Sequence, residues 1–443
     1  MKKYILFLSF LVLLMSCSGN ASTQKQSEVS YQVPDLEDVV IYQVNPRVFT
    51  GDRTFRAVGF YLDSIKQLGA NIVWFMPIHE IGKEKSVNSP YCVRDYKSVN
   101  SEFGTMEEFK QLIKQCHEKG LGVIIDWVPN HTSWDHSWME NKSWYTQNED
   151  GEVIWPEGTN WRDVADLNYD NQEMRLAMIE AMKYWVTEVG VNGFRVDAVD
   201  YVPADFLKQA NDTLLNIPGA QLLLLAEGKR PDHFESGYQL NYGWDFHQMM
   251  RRVYLRGEKA SSLFEAYEKE YAAIPNGKHK LRFSTNHDEA AGKSPVEEWN
   301  GERGSMSAFV VSTFMPGCPM IYSSQEVGYP DRINFFYPTP IDWTMNNPLR
   351  KEYEQLMAIY NAHDTLRKGG LTTYPDDNIL LFERTGNGKK YMIAVNVRDE
   401  QQTMAVPNAF AAKSFTNLYS GVKGKLQEEM KLQPYEYKIL EIQ

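Results

Sequence analysis

The strongest constraint on this chain is a recurring texture. Short, almost wholly apolar runs alternate with stretches of helical spacing, eight times before about residue 325. The runs are Val39–Val44, Ile72–Met76, Gly122–Asp126, Gly193–Asp197, Leu222–Glu227, Gln239–Tyr242, Leu281–Asn286 and Met320–Ser324. Each is too short for a core helix and has the length of a strand buried on both faces. Between them, Leu62, Ile65 and Leu68 keep helical spacing up to Gly69. Thr105 and Glu108 form a capping-box pattern ahead of Phe109, Leu112, Ile113 and Cys116, which share one helix face. Met174–Val189 reads as a helix entered through Asp170 and Glu173 and closed by Gly190. Buried strands separated by helices predict a parallel sheet, and eight such units favour a closed (β/α)8 barrel over an open doubly wound sheet. No Gly-rich phosphate loop follows the first run, which leaves a dinucleotide fold little support.

From about Leu371 the pattern turns to short alternating runs, with Gly386-Asn387-Gly388 marking a hairpin between Ile379–Thr385 and Lys390–Val397. A small antiparallel β domain over 369–443 is expected behind a barrel over 34–368. The acidic balance, 58 Asp and Glu against 46 Lys and Arg, argues against a nucleic-acid partner, which would need clustered cations.

The first residues have their own logic. Lys2 and Lys3 precede an apolar run from Tyr4 to Met15 that is too short to span a bilayer and suits a signal-peptide core. It ends in Leu14-Met15-Ser16-Cys17, which resembles a bacterial lipobox whose Cys receives the lipid. Residues 1–17 are therefore expected to be a lipoprotein signal and 18–33 a polar tether, placing an exported protein on the periplasmic or outer face of a bacterial membrane. Cys92, Cys116 and Cys318 are odd in number and lack zinc spacing, so they imply neither a disulfide framework nor a zinc site.

The chemistry lies where the runs end, because a barrel builds its site from the loops that follow its strands. Four ends are dense in polar groups: Asp126-Trp127-Val128-Pro129-Asn130-His131, Arg195-Val196-Asp197, Ala226-Glu227 and Asn286-His287-Asp288. Three carboxylates converging with two His and an Arg suit glycoside hydrolysis, which needs one ionised and one protonated carboxyl. Arg195 lies two residues before Asp197, on the same strand face, where a guanidinium lowers a carboxyl's pKa. The four leucines before Glu227 suggest a setting that favours its protonated form.

These four segments, in this order, resemble the signature regions of the α-amylase family, glycoside hydrolase family 13. Pro90-Tyr91, Asp166-Leu167-Asn168 and Pro316-Gly317-Cys318-Pro319 through Gln325-Glu326 extend the match, which runs from about residue 35 to the end. The resemblance implies that Asp197 is the nucleophile, Glu227 the acid/base and Asp288 the transition-state stabiliser. Tyr91, His131 and His287 would contact the sugar, and Asp126 would support Arg195. It implies an α-glucan or malto-oligosaccharide substrate, a short B domain over about 130–168, and no cofactor for the chemistry. Asn130 matches a position that is often a calcium ligand, and Glu326 reads as structural. Six Trp fall between Trp127 and Trp161, where flat indoles suit either local packing or sugar faces.

The sequence also departs from the family's pattern. Asp200 and Tyr201 stand where many α-amylases carry Lys and His, and Asn168 stands where calcium-binding members often have Asp. Ala198 follows the nucleophile, where Val tends to accompany α-1,6 cleavage. The expectation is a retaining α-1,4-glucosidase or amylase. A 4-α-glucanotransferase is the rival within the class, and a non-catalytic glycan-binding lipoprotein is the rival outside it.

Overall fold

The computed structural model describes residues 31–443, so Cys17, the signal segment and most of the tether lie outside it. Eight parallel strands close a barrel: β1 (Ile41–Val44), β2 (Ile72–Phe75), β3 (Gly122–Trp127), β4 (Gly193–Val196), β5 (Leu223–Ala226), β6 (Leu240–Tyr242), β7 (His279–Arg282) and β8 (Cys318–Tyr322). Neighbours around the barrel are consecutive in sequence, and β8 closes on β1 through Met320 opposite Ile41. This is the expected (β/α)8 architecture.

Period-two alternation sorts the side chains. Along β5, Leu223 and Leu225 join an interior cluster with Ile41, Ile72, Trp74, Ile124 and Leu240, while Leu224 and Ala226 face the helices. The same parity puts Asp126, Arg195, Asp197 and Glu227 on the inner wall, since Ile125, Phe194 and Val196 pack outside. The capping box at Thr105 and Glu108 is present, and Phe109, Leu112, Ile113 and Cys116 are buried.

Several local expectations change. The strand expected over 281–286 lies at His279–Arg282, and the strand expected over 320–324 at Cys318–Tyr322. The helix expected to start through Asp170 is capped by Asn171, whose side chain accepts from the Met174 amide. Tyr31 and Val33, expected within the tether, pack on the barrel instead. The Tyr31 hydroxyl donates to the Asn71 carbonyl at 2.7 Å and its ring stacks on His117.

The segment after β3 is clasped by an antiparallel pair, His131–Ser133 with Val164–Asp166, which sets the B-domain loop at the barrel mouth. Beyond the helices Asn347–Ala362 and Asp364–Lys368, six strands from Gly370 onward form an antiparallel sheet, and Gln402–Ala405 pairs separately with Glu429–Leu432. The Ile379–Gly386 and Lys389–Asn396 strands are joined by Asn387 and Gly388, both with positive φ, as a tight hairpin turn demands. Among the described residues, no helix is long and apolar enough to cross a membrane.

Candidate active site

Four strand ends meet on one guanidinium. Arg195 is fully buried on β4, in register with Asp126 of β3. Its Nη1 lies 2.6 Å from Asp126 Oδ1 and 2.8 Å from Asp197 Oδ1, and its Nη2 lies 2.5 Å from Glu227 Oε1. Nε donates to the Tyr242 hydroxyl at 3.2 Å. The guanidinium also lies over the Trp74 ring, 5.1 Å from its centroid. Glu227 gains a second partner in the Ala198 amide, which donates to Oε2 at 2.7 Å.

A histidine relay completes the floor. Gln43 Nε2 lies 2.8 Å from His287 Nδ1, and His287 Nε2 lies 2.6 Å from the Tyr91 hydroxyl. With the Gln43 amide donating to Nδ1, the ring proton sits on Nε2 and points at Tyr91, whose hydroxyl donates to Asp126 Oδ2 at 3.3 Å. Burial, and then the Arg195 charge, push His287 down to about 3, and burial pushes His131 down to about 4, so both rings are neutral near pH 7. Asp288 opens the helix His287–Gly292, which Asn286 caps by accepting from the Asp288 and Glu289 amides, both at 3.0 Å. Its carboxylate lies 3.5 Å from His287 Nε2 and is the most open of the group.

Two electrostatic expectations need correction. Arg195 does pull Asp197 toward the ionised form, but burial and the neighbouring Glu227 outweigh it, so the Asp197 carboxyl rises well above the ordinary range. Burial likewise raises Asp126 to about 7, against the pull of Arg195. Three carboxylates on one buried cation carry a surplus of negative charge, and together they retain a proton that isolated carboxyls would lose. The leucines before Glu227 do not surround its carboxyl. They alternate between barrel interior and helix layer, and the carboxyl itself meets Arg195 and the Ala198 amide.

Cys17 lies outside the described residues; Asp126, Arg195, Asp197, Glu227, Tyr91, His287 and Asp288 meet at the barrel mouth, and His131 begins the pair that clasps the B-domain loop there. Asp126 holds Arg195, as expected, and Glu326 is buried, accepting from the Tyr42 hydroxyl and the Ser324 amide. Sequence reasoning missed Gln43, Trp74, Tyr242 and Phe335. Gln43 is the polar residue interrupting an apolar run, and Tyr242 ends a strand, so both left a signal. Phe335 packs edge-on against Tyr91 and His287 from the long segment after β8 and left none.

The residues around Asn130 do not fit a carboxylate-built calcium cage. Its amide nitrogen faces His131 Nδ1 at 3.2 Å. Asn168 is occupied by the Ser143 carbonyl and the Asp170 amide. Among the described residues, no three His, Cys, Asp or Glu side chains gather as a metal site, whereas calcium takes six to eight oxygens, carboxylates prominent among them.

Residues 51–163 and 141–369 match the alpha amylase catalytic domain. The chain belongs to the α-amylase family. The alpha-amylase MalA of Haloarcula japonica is 24% identical over 403 residues, spanning 87% of this chain and 58% of that enzyme's length. The probable oligo-1,6-glucosidase 2 of Bacillus subtilis is 24% identical across 91% of this chain and 98% of its own. Among solved structures, the maltogenic alpha-amylase AmyB of Thermotoga neapolitana superposes with a TM-score of 0.82 at 23% identity, covering 92% of this chain and 99% of that one. That likeness speaks for the shared barrel and C-terminal sheet.

Proposed function

We propose that the protein is a retaining α-glycosidase that hydrolyses α-1,4-glucosidic bonds of malto-oligosaccharides. The observation that carries this reading is the joint hold of Arg195 on Asp197 and Glu227. One guanidinium keeps both carboxyls at short range, and retaining enzymes use a separation of about 5–5.5 Å, too small for a water between them. Asp197 attacks the anomeric carbon while Glu227 protonates the departing oxygen. Glu227 then takes a proton from water, which releases the sugar from Asp197 with its α configuration restored. Asp288, open to the mouth, accepts hydrogen bonds from the sugar hydroxyls as the ring flattens.

Burial and the neighbouring Glu227 raise the Asp197 carboxyl, and Arg195 acts against both, toward the carboxylate that attacks. Neutral His131 and His287 add no positive charge beside the developing oxocarbenium ion. A 4-α-glucanotransferase would use the same covalent intermediate with sugar in place of water. The complete carboxyl set argues against a binding-only protein. We further infer export and lipid attachment at Cys17, which would hold the enzyme at a membrane surface.

Proton NMR on a fresh digest of maltotetraose tests the central claim. The α-anomer is expected first, and Asp197→Asn and Glu227→Gln should each cut turnover by about 10²-fold or more while the protein stays folded. Initial β-anomer would remove Asp197 as nucleophile.

A further inference from the structure

One buried charge in this fold has no part in the double displacement. Lys280 lies on β7 next to Leu281, which points into the barrel, so strand parity turns Lys280 outward beneath the helix layer. The residue is only 4% exposed. Among the described residues it forms no ion pair, and its hydrogen bond to the Tyr242 carbonyl is stretched to 3.5 Å. Glu270, the carboxylate that acts on it most strongly, is already taken. Its Oε2 lies 2.6 Å from Arg282 Nη1, and its Oε1 accepts from the Phe246 amide at 2.9 Å. A buried lysine left this way is uncommon, because removing a charge from water costs free energy that a partner must offset.

Lys280 lines a crevice of about 90 Å³ between the segment after β5 and the end of the helix Ser262–Tyr271. Phe234 and Ile274 give it apolar walls, and Lys229 and Lys269 stand exposed around it. Those two lysines share one carboxylate: Asp245 Oδ1 lies 3.1 Å from Lys229 Nζ, and its Oδ2 lies 3.9 Å from Lys269 Nζ. With Glu270 cancelled by Arg282, three ammonium groups face one remaining carboxylate, a surplus of two positive charges. Burial pushes the Lys280 amine down to about 8, against the pull of Glu270, so at neutral pH it still carries its charge. The other charges acting on it are Arg282 on its own strand, Asp245 from the helix Trp244–Arg256 and Asp200 from the turn after β4.

We propose that this crevice binds a small dianionic oxyanion of the phosphate or sulfate type, held by Lys280 at its base and by Lys229 and Lys269 at its opening. The charge surplus matches a dianion, and charge-assisted hydrogen bonds to an anion are the strong ones. The volume lies far below the roughly 300–1,000 Å³ of pockets for drug-sized ligands, so a free ion fits and a sugar does not. The bound ion would tie the segment after β5, the helix Ser262–Tyr271 and β7 to one another. Lys229 stands two residues beyond Glu227, so the tie bears on the segment that carries the proposed acid. The site stands independently of the glycosidase reading.

Calorimetric titration of sulfate into the full chain, with chloride added to hold ionic strength constant, tests the site. Sulfate keeps both charges across the neutral range, so any pH dependence belongs to the protein. One sulfate per chain should bind, about tenfold more weakly in Lys280→Met and about threefold more weakly in Lys269→Gln. Raising the pH from about 7 to about 9 should weaken wild-type binding about tenfold, as the Lys280 amine loses its proton, and should not affect Lys280→Met. Heat that does not saturate, or that chloride alone reproduces, would overturn the site. So would undiminished binding in either variant, or a pH effect that persists in Lys280→Met. Should Lys280→Met fail to fold, Lys269→Gln decides, because its side chain is exposed and bears little on stability.

Discussion

Arg195→Met is the most informative single perturbation of this protein. The side chain is fully buried and neutralises part of a cluster of three carboxyls, with contacts of 2.6, 2.8 and 2.5 Å to Asp126, Asp197 and Glu227. Methionine fills much of the same volume but leaves those carboxyls without a cation and the Tyr242 hydroxyl without its donor. Removing one partner from a buried ion pair typically costs about 3–5 kcal/mol. The loss should be read as a lowered urea midpoint at unchanged slope.

Its pH dependence follows from the sign of the carboxyl shifts. Asp126 and Asp197 already stand above their ordinary range, and without Arg195 they rise further. A carboxyl raised in the folded state binds more protons there than in the unfolded chain, so folding stability falls as pH rises above the unfolded value of about 3.9. The Arg195→Met deficit should therefore be small near pH 4 and largest above pH 7. The acid limb of kcat/KM should move to higher pH, because Asp197 must ionise to attack. A variant that unfolds within 1 kcal/mol of wild type at pH 7.5, with an unmoved acid limb, would refute the view that this guanidinium organises the centre.

The linkage preference is checked by specificity constants in the wild-type enzyme. Maltotetraose should exceed isomaltotriose by a factor worth about 1–3 kcal/mol, and the reverse order would sink the α-1,4 assignment. For the anchor, Cys17→Ser should move the protein from the membrane to the soluble fraction. Wild-type protein that is already fully soluble, with no acyl mass, would end that proposal.

Much of this fold was legible because its strands are buried on both faces and therefore read as plain apolar runs. The exception shows why. β7 contains His279, Lys280 and Arg282, which no hydrophobic pattern assigns to a barrel strand. The charge on Arg282 is hidden by a 2.6 Å pair with buried Glu270, a contact made through tertiary structure. The apolar Phe283 just beyond then drew the expected strand forward, into a segment that in fact leads to the Asn286 cap.

The site was legible for a different reason. Strand parity carries Arg195 and Asp197 to the same face, and the barrel's closure brings β3 and β5 to either side of them. Sequence could supply the sign of Arg195's effect on Asp197 but not the outcome, because the outcome depends on burial and on Glu227 lying against the same guanidinium. Residues that act through distance along the chain, as Phe335 does, leave no local trace.

Ala198 is where the chain breaks a local rule. Its φ of 45° lies in the left-handed region, which costs a residue with a side chain about 1–2 kcal/mol. Strain of that size persists where the surroundings hold it, and here the hold has a chemical result: the amide is aimed at Glu227 Oε2. The same turn carries Asp200 back toward His233 and leaves Tyr201 outward. A branched residue at 198 would meet the backbone strain in full, because β-branched side chains tolerate the left-handed region worst. The small side chain beside the nucleophile thus limits the backbone strain, besides any room it leaves for a neighbouring sugar.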